Sequence, residues 1–122
     1  MFELLITELQ PSQLYVSEEK LRRVREWFKQ DDKAGFTPIP IKLHNGKNMM
    51  TDGHTRAAAA YLAGWETVPV VWDEDDWDMR LYETCVKWCE EAGMKSGADL
   101  AERIISAEEY EVLWNLRCEE ML

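Results

Sequence analysis

The hydropathy pattern changes character at Trp72, and that change limits the folds open to the chain. Before it, apolar runs are short and punctuated by Pro11, Pro38, Pro40, Pro69 and several glycines. After it, apolar residues recur only at helical spacing. Strands and helices must therefore combine in the first part, and a helical segment must follow. With 122 residues there is room for one domain with a core of its own. The expectation is an α+β fold: a small mixed β-sheet with flanking helices over residues 1–74. An acidic C-terminal helical extension, residues 75–122, packs on that core.

Phe2 to Leu9 reads as a buried strand, broken at Gln10-Pro11-Ser12. Ser17 is a candidate N-cap for a helix carrying Leu21, Val24 and Phe28 on one face and ending near 31–35. Residues 37–43 alternate like a strand. Their two prolines predict an edge strand, or one whose proline nitrogens face away from the pairing. Asn45-Gly46 is a strong hairpin signal, with residues 48–51 returning. Ala57 to Leu62 is helical up to Gly64, and Val68 to Trp72 reads as a last strand. Helices are then expected over 75–91, over 99–105 and after the capping box Ser106-Ala107-Glu108-Glu109.

Charge is divided as unevenly as the pattern. Residues 1–71 hold nine Lys/Arg and nine Asp/Glu, whereas residues 72–122 hold five and fifteen. The net charge of −10 thus arises entirely in the last 51 residues. Such a segment repels phosphate backbones, and the first part lacks the clustered basic surface that duplex DNA requires. Duplex DNA is not expected as a partner, but the acidic helices could meet a protein, particularly a basic one. No stretch approaches the ~18 apolar residues of a membrane span. The first residues have no basic region and carry Glu3 and Glu8 within their apolar stretch, unlike a signal peptide, so a cytoplasmic location is expected. Cys85, Cys89 and Cys118 read as reduced thiols, the first two as small apolar core residues on one helix face. The acids at 73–76 and 78 suit a helix start, although carboxylates could also hold Mg²⁺. Trp88 and Trp114 fall on apolar helical faces, and His44 on an exposed turn.

The chemistry concentrates at Thr51-Asp52-Gly53-His54-Thr55-Arg56, where a strand runs through a turn into a helix. The first N–H groups of that helix lack acceptors and carry the positive end of its dipole. Gly53 allows close approach of a ligand. Thr55 adds a hydroxyl, His54 a switchable donor and Arg56 a forked cation. These groups suit a phosphate or carboxylate. Asp52 could hold a metal, act as a base, or only cap the helix. From these residue types alone, an ordinary turn and N-cap is the competing interpretation.

The run Met50 to Gly64, with Val68-Pro69-Val70-Val71 after it, resembles the ParB/sulfiredoxin superfamily. So does the order upstream: an apolar strand, Leu9-Gln10-Pro11, an amphipathic helix, then Phe36 to Ile41. The similarity covers roughly residues 2–74. Gly53 and Arg56 match the ParB CTPase motif, while His54, Thr55 and Ala58 replace its Glu and two of its Arg residues. His54 stands where sulfiredoxins carry their reactive Cys, which excludes sulfinic-acid reduction. Asp52, Gly53, His54 and Arg56 match the D-G-H-H-R of free-serine kinases, with Thr55 replacing the second His. The acid those kinases use after the first strand has no counterpart between Pro11 and Glu18.

The resemblance implies a nucleotide, ATP/ADP or CTP with Mg²⁺, or another phosphate ligand, bound at Gly53, His54, Thr55 and Arg56. Asp52 and His54 would be catalytic, no side chain would be a resident metal ligand, and the protein would be an ATPase or small-molecule kinase. The alternatives are a non-catalytic interaction module of the same fold and a ParB-like DNA-associated factor.

Overall fold

The computed structural model describes residues 1–121. The fold is α+β, with a mixed five-stranded sheet flanked by helices. Its elements are β1 (Phe2–Leu5), β2 (Leu9–Gln10), β3 (Val16–Ser17), α1 (Glu18–Trp27), β4 (Ile39–His44), β5 (Lys47–Met50), α2 (His54–Leu62), β6 (Thr67–Trp72), α3 (Met79–Glu91), β7 (Ile104–Ile105), α4 (Ala107–Tyr110) and α5 (Leu116–Met121). Tight 3₁₀ turns occupy Ile6–Glu8 and Gly97–Glu102, and a π-helical turn, Glu111–Asn115, joins α4 to α5.

The sheet order is β1-β6-β4-β5-β2. β1 and β6 run antiparallel, with Leu4 opposite Val68. β4 pairs in parallel with β6 and antiparallel with β5. β2 closes the far edge in parallel with β5. β4 is thus the central strand, not an edge. Its proline carbonyl is used for pairing, since Pro40 accepts from Thr51 N–H at 3.0 Å. The first strand is also shorter than its apolar run. Ile6 turns inward at 1% exposure, and the chain resumes as β2 on the opposite edge of the sheet.

Ile39, Ile41, Val68 and Val70 point from the sheet into the core. Against them lies α2, in which Ala57, Ala58, Ala59 and Ala60 are all buried. Four small residues in succession let the middle of this helix be enclosed, while Tyr61 and Leu62 at its end are exposed. Leu100, fully buried, joins the same core from the Gly97–Glu102 turn. That turn comes so close to the first 3₁₀ turn that a Cβ on Gly97 would lie 2.8 Å from the Ile6 carbonyl oxygen. The segment after Trp72 also supplies β7, which pairs in parallel with β3. The core therefore includes residues from both sides of the change in pattern.

α1 begins at the expected cap, with Lys20 N–H donating to Ser17 Oγ at 3.4 Å. It ends at Trp27, short of 31–35, because Phe28 leaves helical geometry. The Phe28 ring instead joins an aromatic cluster, tilted against Trp65 at 5.0 Å and edge-on to Phe36 at 6.0 Å. α3 starts at Met79, after an N-cap from Asp78, so residues 73–78 form a loop rather than a first helical turn. The expected helix at 99–105 is a 3₁₀ turn followed by β7.

Candidate functional site

The β5–α2 turn is built around Gly53, at φ 78°, in the left-handed region. It is the N-terminal boundary residue of α2, and the first helical bond runs from Ala57 N–H to its carbonyl. The N–H groups of His54, Thr55 and Arg56 consequently have no helical acceptor. They border a cavity of about 280 Å³ lined by Asp52, Gly53, His54, Thr55 and Arg56, by Lys20, Arg23 and Val24 of α1, and by Gln13 and Tyr110. Three cationic side chains and one carboxylate thus surround the positive end of a nine-residue helix.

The cations are held in different ways. The Arg56 guanidinium donates from Nε to the Thr37 carbonyl and from Nη2 to the Pro38 carbonyl, each at 3.1 Å. It clamps the loop before β4 while its charge stays without an acidic partner among the described ion pairs. Arg23 pairs with Glu19 at 2.8 Å on the exposed face of α1. Lys20 lies over the Tyr110 ring, 4.7 Å from its centroid, with Nζ 3.5 Å from the hydroxyl. Tyr110 is buried and comes from α4, so the C-terminal segment forms one wall of the cavity. Nothing in the sequence ahead of the fold connects Lys20, Arg23 and Tyr110 with Arg56. The sequence predicts only the helix after Ser106, the element that carries Tyr110.

His54 is buried, at 4% exposure, and Nε2 accepts a hydrogen bond from Ser12 N–H at 3.0 Å. Its pKa is pushed down to about 4, chiefly by burial. Asp52 opposes that shift and Arg56 adds to it. The ring is therefore neutral, with its proton on Nδ1. It joins the loop after β2 to the turn before α2, and Ser12 completes the joint by donating its hydroxyl to the Met50 carbonyl at 2.6 Å. A ring held at Nε2 in this way fixes the loop against the turn. Thr55 is half-buried on the cavity wall, and Asp52 is exposed. Among the described hydrogen bonds and ion pairs the Asp52 carboxylate has none, so it is available as a base or to a metal ion carried by a ligand.

Cys85 and Cys89 are core residues, as their spacing suggests, and Cys118 is half-buried against the same core. Cys85 and Cys89 are buried on α3, and burial pushes their thiols up to about 11 and about 12. Among the described residues, no group of three or more His, Cys, Asp or Glu could hold a metal ion. No described helix is long and apolar enough to cross a membrane. Compared with protein-family models, curated proteins and solved structures, the chain has no match.

Proposed function

We propose that the cavity at the start of α2 binds the phosphates of a nucleotide, or of another small phosphorylated molecule, and that the protein acts as an ATPase or small-molecule kinase of the ParB/sulfiredoxin kind. The observation that carries this is the convergence of Lys20, Arg23 and Arg56 with the unpaired N–H groups of α2 on one 280 Å³ space. Amides at a helix start and forked or point cations are the groups that hold phosphate oxygens. Mg²⁺ would arrive with the nucleotide, with Asp52 as the one free carboxylate at the rim. His54 serves as the positioning residue that fixes the cavity wall, and Asp52 is the group left for acid–base work.

Titration calorimetry with ATP, ADP, CTP and pyrophosphate, each with Mg²⁺, tests this reading. Binding is expected, together with a loss of about ten- to a hundredfold on Lys20→Ala, because that ammonium makes no contact the fold depends on beyond Tyr110. No binding by any of the four ligands removes the proposal and leaves the non-catalytic interaction module.

A further inference from the structure

A second cavity, of about 430 Å³, lies on the other side of Asp52, between the end of β6 and the start of α3. Its character is opposite to that of the first. The rings of Trp72, Trp77 and Tyr82 form its walls, and Asp52, Glu74 and Asp75 stand among its lining residues. The loop is held internally by Asp73, which accepts from the Thr51 hydroxyl, from Asp75 N–H at 2.9 Å and from the Trp77 indole N–H at 2.7 Å. Tyr82 is fixed by donating its hydroxyl to the Thr51 carbonyl at 3.0 Å. Two walls remain open, with Trp72 49% and Trp77 46% exposed. Among the described hydrogen bonds and ion pairs, the carboxylates of Asp52, Glu74 and Asp75 have no partner. No Lys, Arg or His lines the cavity.

We propose that this aromatic-walled cavity binds an organic ammonium ion that carries no carboxylate, of the polyamine type. An aromatic face attracts a cation and also covers the methylene chain of an alkylamine. Unpaired carboxylates around the same space supply the charge that a multivalent amine satisfies. Three alternatives fit less well. A compact metal ion needs converging ligands, and no described group of acids converges in that way. A phosphate is repelled. A free amino acid would bring a carboxylate for which the lining holds no cation. The size is within the range of small-molecule sites.

The test is calorimetry of the full chain with spermidine, with Mg²⁺ and L-serine run separately. One spermidine per chain is expected, with affinity falling as salt rises and no comparable binding of the other two. Glu74→Gln combined with Asp75→Asn should weaken binding at least tenfold, and Trp77→Leu should weaken it several-fold. Glu119→Gln combined with Glu120→Gln, which removes the same charge elsewhere, should leave it unchanged. The first pair touches side chains without contacts, so its melting temperature should match that of the parent. Absence of spermidine binding, undiminished binding in either cavity variant, an equal loss in the Glu119/Glu120 pair, or equal binding of Mg²⁺ or L-serine overturns the proposal. Pyrophosphate titrated into the same samples reports separately on the first cavity.

Discussion

Two side chains of the α2 turn, His54 and Arg56, are committed to the structure around them. Neutral His54 has a folded pKa of about 4 against an ordinary 6.5. Between those values the unfolded chain binds a proton that the folded chain refuses, so stability must rise with pH across the window. The rise should amount to about 3 kcal/mol. Urea unfolding of the parent and of His54→Gln, followed from pH 4 to pH 7, checks it. The parent should lose this stability as pH falls and the variant should lack that part of the slope. A parallel pair of curves contradicts the assignment of a buried neutral ring. Arg56 is judged by its two carbonyl contacts. Arg56→Ala frees the Thr37 and Pro38 carbonyls and should lower unfolding free energy by about 1–3 kcal/mol. Phosphate affinity should fall in the same variant, so Lys20→Ala is the cleaner probe of binding alone. Arg56→Lys keeps the charge but not the fork and should recover affinity better than stability.

At the scale of elements, α2 depends on the residue just before it. Gly53 sits at φ 78°, and a Cβ there would meet Arg56 Nη2 at 2.9 Å and Ile39 Cγ1 at 3.2 Å. Gly46, in the hairpin turn, has φ 74° with nothing within 4 Å of a Cβ. Both Gly→Ala variants bear the backbone strain, about 1–3 kcal/mol. Only Gly53→Ala also displaces Arg56, so it should melt lower than Gly46→Ala and bind phosphate more weakly. Equal melting temperatures would show that the guanidinium moves aside freely. The comparison of elements also shows what sequence can reveal. The β4–β5 hairpin was legible because Asn45-Gly46 is a local signal, and so was the Ser17 cap. The same holds for the turn Asp52 to Arg56, where strand, glycine and alanine helix lie in sequence. The C-terminal end of α1 and the position of β4 were not legible. Phe28 leaves the helix for Trp65, a residue 37 positions later, and β4 becomes central because β6 and β5 arrive on both sides. Half the cavity was hidden for the same reason, since Lys20, Arg23 and Tyr110 reach it only through packing.

On the scale of the whole molecule, the two halves of the sequence share one interior. Leu100 and Met94, both buried, pack in one cluster with Ile6 and Leu9, and β7 lies beside β3. Leu100→Ala should therefore lower stability by about 2–5 kcal/mol, the range for a buried leucine, as measured by denaturant unfolding. A chain ending at Glu74 should lack cooperative thermal unfolding. A sharp transition in that fragment would mean that the first part folds unaided. The pairings β1 with β6 and β3 with β7 also impose an order in time. The partner of Phe2 is Val70, and the partner of Val16 is Ile104. During synthesis β1 must wait, uncovered, for residue 70 and β3 for residue 104. Distant pairings of this kind slow folding and leave apolar surface exposed meanwhile. The nascent chain therefore carries uncovered apolar surface until residue 104 has been made, and codon-level pauses between residues 72 and 104 would lengthen that interval.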